Sequence, residues 1–334
     1  MTSLRLRHPL ALALAVLTLA VPTAVAAFVA TISNSGNSFQ AAAVFPGAVK
    51  MASGTYAGNA TAGRAIAAGF QPDLVIVKDA GNREAAARTS TMTGDLTKLL
   101  GSALILQAND IQALTATGFT VGSGAPVNGN GRTYYWVALK GYSQSMKVGT
   151  YTGNATGQAI SGVGFSPEAV MIFGNTAARS AVRFSGASRA YGFDTGTGIT
   201  GGISSLDADG FTVGTALETN AAATTYHYVA FNKMPNSVDV GTYAGNATDN
   251  RNIATVGFQP EYMLVRADDG TTSRQGQARP AALAGDSTLP FSSTAAAANG
   301  IQALQATGFQ LGTATDVNAT GVNYYYLAVR SSAP

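Results

Sequence analysis

The 334-residue sequence contains no cysteine, two histidines, one tryptophan and only 11% charged residues. Without cysteine there is no disulfide framework, no thiolate catalysis and no Cys-ligated zinc. The scarcity of charge argues against long amphipathic helices, which need Glu, Lys and Leu-rich stripes. No run of Lys or Arg is present, and the longest apolar stretch, Leu10 to Val21, is shorter than the roughly twenty residues of a membrane span. Of the histidines, His8 lies in the N-terminal segment. A Ser-His-Asp triad repeated along the rest of the chain is therefore excluded.

Hydrophobic residues make up 46% of the chain, and 39 glycines sit among abundant Ala, Thr, Ser and Asn. That makeup fits short strands joined by turns, and recurring Val, Ile, Phe and Tyr positions exclude general disorder. The formal charge is +3; without Arg5 and Arg7 the basic residues number 18 against 17 acidic ones, a net of +1. A chain so close to neutrality lacks the footprint of a nucleic-acid partner.

Residues 1–26 read as a signal peptide. Arg5 and Arg7 form a basic start, the apolar run follows, Pro22 breaks it, and Ala24-Val25-Ala26 supplies a small-residue cleavage site. An uncleaved anchor is the competing reading. Paired arginines of the twin-Arg type are absent. The expected location is extracellular or at the cell surface, with no membrane association after cleavage. In the lead-in, residues 27–53, Ala27-Phe28-Val29-Ala30-Thr31 through Ser38-Phe39-Gln40-Ala41 resembles the leader junction of camelysin/TasA-type proteins. The resemblance implies a dedicated export route and a surface address. It departs from that family at Gln40-Ala41-Ala42.

A unit of about ninety residues then occurs three times. Gly54-Thr55-Tyr56-Ala57-Gly58-Asn59-Ala60-Thr61 returns from Gly149 and from Gly241. Gly69-Phe70-Gln71-Pro72-Asp73 is matched by Gly164 to Glu168 and Gly257 to Glu261, and Gly118-Phe119-Thr120-Val121-Gly122 by Gly210 to Gly214 and Gly308 to Gly312. Each copy closes on an aromatic strand: Tyr134 to Leu139, Tyr226 to Phe231, Tyr324 to Val329. The pattern predicts an all-β protein of three tandem β-sandwich or jelly-roll-like repeats, at 54–140, 149–233 and 241–330. A single closed body with pseudo-threefold symmetry is the alternative; the unit is long for a trefoil lobe or propeller blade. Between the landmarks, residues 79–110, 174–204 and 267–299 differ among copies and read as variable arms, with a short helix expected over part of 96–106. These landmarks resemble a repeat domain of unknown function found in bacteriophage tail and bacterial surface proteins. That resemblance implies surface or tail-type recognition without enzymatic activity.

Candidate chemistry is sparse. His227 takes the place of Tyr135 and Tyr325, so the position accepts a plain aromatic. Asp207-Ala208-Asp209-Gly210, with Glu218 twelfth, matches part of a calcium loop but continues into a strand, which favours a hairpin turn. The acids Asp73, Glu168 and Glu261 occur once per copy and suggest turn capping, not a paired-carboxylate cleft. The Asn-Ala-Thr triplets at Asn59, Asn154, Asn246 and Asn318 fit the glycosylation sequon, yet three lie in Gly-Asn turns where asparagine tolerates left-handed geometry.

The closing strands offer the one binding mechanism. Alternation puts Tyr134 and Trp136, Tyr226 and Tyr228, and Tyr324 and Tyr326 on one face, opposite a Val/Leu core face. These six form either an exposed platform for sugar rings or the second buried face of a central strand. The expectation is a non-enzymatic secreted or surface protein with a structural or adhesive role, without catalytic residues, metal or cofactor. Its partners would be glycans, cell-surface components or further copies of itself. The alternatives are a carbohydrate- or receptor-binding module of phage-tail type and, last, a secreted polysaccharide hydrolase.

Overall fold

A computed structural model describes residues 31–34, 37–40, 48–268 and 274–331. The signal peptide and its cleavage site lie outside them. Within the N-terminal unit, Thr31–Asn34 and Asn37–Gln40 pair as an antiparallel hairpin with Ile32 opposite Phe39. The main body, Phe45–Ser332, is a separate compact unit.

The body is all-β. In the first copy a large antiparallel sheet runs in the order Lys50–Ala57, Thr133–Lys140, Leu74–Asp79, Ala86–Thr89, Lys98–Leu99, and a small one runs Arg64–Ala67, Gly118–Val121, Ile111–Thr115. The second copy keeps these orders without the fifth strand of the large sheet: Met146–Thr152, Thr225–Phe231, Ala169–Gly174, Ala181–Phe184 with Gln158–Ser161, Gly210–Val213, Ile203–Asp207. The full orders of the first copy return in the third: Val238–Ala244, Asn323–Val329, Tyr262–Asp268, Gln277–Pro280, Leu289–Pro290 with Arg251–Ile253, Gly308–Leu311, Ile301–Gln305. The closing strand is thus internal to each large sheet, flanked by the first strand and the third.

Each large sheet packs one face on its own small sheet, forming a sandwich-like layer pair around Val75, Val77, Phe119 and Trp136 and their counterparts. The opposite faces of all three large sheets meet in a single further core, to which Val137, Leu139, Val229, Phe231, Leu327 and Val329 contribute. The three stretches therefore enclose a common interior and are not insulated tandem domains. Unit length argues against trefoil lobes and blades, but it leaves open a closed body built from two-layered units. Burial on both faces explains the near-continuous apolar runs Leu74 to Val77 and Ala169 to Phe173, where a strand solvated on one side would alternate.

Three local features depart from expectation. The Gly-Thr-Tyr motif lies inside a strand, so the copies begin a few residues before Gly54, Gly149 and Gly241. Residues 96–106 hold the short strand Lys98–Leu99 and extended chain, with no helix. Among the described residues the helices are single turns at Ala125–Asn128, Leu217–Asn220 and Thr315–Asn318.

Candidate functional site

The register of the closing strand decides the fate of the six aromatic candidates. Trp136 lies opposite Gly54, Tyr228 opposite Gly149 and Tyr326 opposite Gly241. Each ring folds flat over its glycine, where a Cβ would come within 2.9, 2.3 and 2.4 Å of ring or hydroxyl atoms. Close approach of a ring to the backbone is why the motif requires glycine there. The same rings meet Phe119, Phe211 and Phe309 edge-on at 5.6, 5.1 and 5.4 Å, from the small sheet.

Tyr134, Tyr226 and Tyr324 have a different task. They stack on Tyr56, Tyr151 and Tyr243 at 5.3, 5.2 and 5.3 Å. Tyr134 donates its hydroxyl to Ala125 O at 2.7 Å and accepts from Gly129 N at 2.7 Å, so one phenol ties both ends of a single-turn helix. Tyr226 and Tyr324 do the same at Leu217/Ala221 and Thr315/Ala319. A helix of one turn cannot hold itself in water, so this staple supplies what propagation cannot. Burial raises the pKa of all three phenols.

These six side chains are 0–7% exposed, which removes the platform. The reason is the additional core. The closing strand has apolar partners on both faces, and the aromatic face is the one beneath the small sheet. The positions facing the other way are also enclosed to different degrees: His227 is 5% exposed with Nδ1 2.9 Å from Thr91 Oγ1, Tyr325 is buried, and Tyr135 is half-buried. Burial, and then the nearby Arg88, lower the pKa of His227 to about 4, so it is neutral at physiological pH.

The other candidates resolve into backbone supports. Asp207 pairs with Gly210 across a two-residue hairpin turn, and Asp209 accepts from Gly162 N and Gly164 N at 3.1 and 2.6 Å. Glu218, the would-be twelfth ligand, instead faces Arg179 at 3.7 Å. Among the described residues no group of three or more His, Cys, Asp or Glu side chains is arranged to hold a metal. Asp73 accepts from Gly141 N at 3.0 Å and Glu261 from Ser331 N at 3.0 Å, each beyond the end of a closing strand; Glu168 accepts from Ser185 Oγ. Capping of this kind matches the expectation for these acids.

The sequons separate into two kinds. Asn59, Asn154 and Asn246 are exposed and accept from the amides of Thr61, Thr156 and Thr248 in Asx turns. The left-handed residue is the alanine that follows, with φ of 55, 60 and 57° at Ala60, Ala155 and Ala247, not the asparagine. Asn318 is wholly buried, as are its counterparts Asn128 and Asn220, which sequence reading did not single out. Asn128 Oδ1 accepts from Asn59 N at 3.0 Å while its Nδ2 donates to Thr61 O and Gly122 O at 2.9 and 2.7 Å. One amide thus joins the exposed turn, the helix end and the small sheet in every copy. Its sequence signal was available: an Asn six residues after each Gly-Phe-x-x-Gly ending.

Cations between copies also escaped the sequence. Lys98, wholly buried, donates to Gly174 O, Thr176 O and Ala178 O of the second copy at 3.0, 3.1 and 3.0 Å. Its burial lowers the ammonium pKa to about 8. Arg266 of the third copy donates Nε to Gly192 O at 2.8 Å and Nη2 to Gly196 O at 3.1 Å in the second copy's arm. Lys78 of the first copy reaches Thr294 O of the third at 3.3 Å.

Asp110 is an outlier: 3% exposed, with Oδ1 lacking a hydrogen bond among the described residues. Burial, then Asp95, push its carboxyl up to about 7. The corresponding residues, placed by the amide of the next strand end, are Gly202 and Gly300. Among the described residues, the large apolar side chains most open to solvent are Leu104, Ile105, Leu217 and Tyr142; the first three adjoin the contact between the first and second copies. No helix among the described residues is long and apolar enough to cross a membrane.

The fold and site define an all-β protein whose repeated aromatic and amide residues serve its interior. Searches of family models, curated proteins and solved structures find no match to the chain.

Proposed function

We propose that the protein is a non-enzymatic secreted or cell-surface repeat protein with a structural or adhesive role. The observation that carries this reading is the use made of its repeated polar residues. The buried asparagines, the acids Asp73 and Glu261 and the three cations between copies each hold backbone, and they hold it at distant points of the chain. A body so committed to its own rigidity suits a spacer or display scaffold, with the arms and exposed turns as its variable surface. The export-type N-terminus and the resemblance to phage-tail and bacterial surface repeats support the same reading.

The test is location and activity together. Protease shaving and antibody labelling of intact producing cells are expected to reach the exposed Asn59, Asn154 and Asn246 turns. Confinement to the cytoplasm, or turnover of any polysaccharide by the purified protein, overturns the reading.

A further inference from the structure

The contacts between copies run in one direction around the body. The first copy's arm lies on the second through Lys98, the second copy's arm on the third through Arg266, and the third copy's arm on the first through Lys78. Such head-to-tail contacts are heterologous: they form a ring if the last unit meets the first, and an open chain of molecules if it meets the next molecule instead. Here the ring closes within one polypeptide.

The closing contact differs from the other two in being held by no covalent link. The linker at residues 141–145 joins the first copy to the second and that at 232–237 joins the second to the third, while the body's ends, near Val49 and Ser331, both lie at the junction of third and first. Tyr135 has no ring or hydrogen-bond partner among the described residues. Its counterpart Tyr325 stacks on Phe184 at 5.8 Å and donates to Gly186 O at 2.9 Å. Beside Tyr135 is a crevice of about 20 Å³, bordered by Pro280, Leu289 and Tyr262, and the buried Tyr262 hydroxyl has no partner among the described residues. The polar ties across it include Ala85 N to Phe291 O at 2.9 Å, Ala296 N to Ala80 O at 2.8 Å, Val49 N to Ser237 Oγ at 3.0 Å and Met51 N to Ser331 Oγ at 3.4 Å.

We propose that the junction between third and first copies is an exchange interface whose partner is a second copy of this chain. When it opens, the third copy of one molecule docks on the first copy of another through the same contacts, yielding head-to-tail dimers and longer chains. Opening strains no linker, and a closed junction competes at an effective concentration in the millimolar range, so exchange requires high protein concentration or mild destabilisation. The inference goes beyond the surface-scaffold reading. It concerns contacts within the body and stands or falls wherever the protein resides.

The absence of cysteine makes the test clean. Chains carrying only Ala80→Cys are mixed at about 1 mM, a concentration in the competing range, with chains carrying only Ala296→Cys. They are held in sub-denaturing urea, diluted and oxidised. A disulfide-linked heterodimer is expected, whereas a chain carrying both substitutions and closed beforehand stays monomeric by light scattering. Failure of the two chains to cross-link, or equal dimerisation by the closed variant, overturns the proposal. On the unmodified protein, amide exchange at Ala85 and Ala296 is expected to be about tenfold faster than at Gly276, whose amide crosses the second–third junction to Phe193 O. Equal or slower exchange overturns it as well.

Discussion

Replacing Trp136 by alanine separates an interior ring from a binding platform. The side chain is 7% exposed, lies over Gly54 and meets Phe119 edge-on at 5.6 Å. A buried aromatic removes on the order of 150–250 Å² from water, which at about 25 cal/mol per Å² corresponds to roughly 4–6 kcal/mol. Partial collapse of the site brings the expected loss to about 3–5 kcal/mol. Against a total stability of about 5–15 kcal/mol, that is a large fraction. Urea titration followed by far-UV circular dichroism measures it without relying on Trp136, the sole tryptophan, as reporter. Tyr228→Ala and Tyr326→Ala, in the same position of the other copies, are expected to fall in a similar range. A loss under about 0.5 kcal/mol for Trp136→Ala, typical of surface sites, refutes the account of a ring enclosed between sheets.

Three further expectations concern polar groups. Lys98→Met strands the carbonyls of Gly174, Thr176 and Ala178, and a loss of about 1–3 kcal/mol in denaturant titration is expected; wild-type stability would show that the ammonium does not tie the copies. Asn220→Ala, which breaks the buried amide's bonds to Asn154 N and Gly214 O, is expected to cost about 2 kcal/mol, and Asn154→Ala in the exposed turn under about 1 kcal/mol. The reverse ranking would sink the assignment of the anchor. For Asp110, the folded carboxyl titrates at about 7 and the unfolded one near the ordinary value of about 3.9, so the folded chain binds more protons between them. Its favourable contribution is complete below about pH 4 and is lost as pH rises through 7. His227, whose folded pKa of about 4 lies below its unfolded value, acts in the opposite sense over the same range, so the difference between variants is the test. Wild type should lose stability relative to Asp110→Asn as pH rises from 5 to 8; a difference that does not change with pH would assign it elsewhere.

Local chemistry was the readable part of the chain. Gly69, Gly164 and Gly257 precede phenylalanine at turns, and each has φ near 80–90°. Asp209 sits in a tight hairpin, and Pro72 precedes its strand. What escaped was everything that depends on a second face. The closing run Tyr134 to Leu139 is apolar on both faces, which fits burial on both sides, but nothing local says what covers the second one. Lys98 reads as an ordinary arm lysine because its acceptors lie 76 to 80 residues away in another copy. The cations also change element: Lys78 and Arg266 occupy matching strand positions, but the second copy has Phe173 there and takes its cation from the first copy's arm. Comparing copies position by position hides such an exchange, because the function is kept while the residue moves.

The nearness of the body's two ends has a consequence for chain connectivity. Met51 N lies 3.4 Å from Ser331 Oγ, and Val49 N lies 3.0 Å from Ser237 Oγ. A short loop joining residue 331 to residue 48, with new termini cut at the exposed Ser143–Gln144 stretch, would leave every sheet intact. Circular permutants opened between the first and second copies, or between the second and third, should therefore fold to the same body. Which copy comes first is then a property of the polypeptide and not of the interior it encloses.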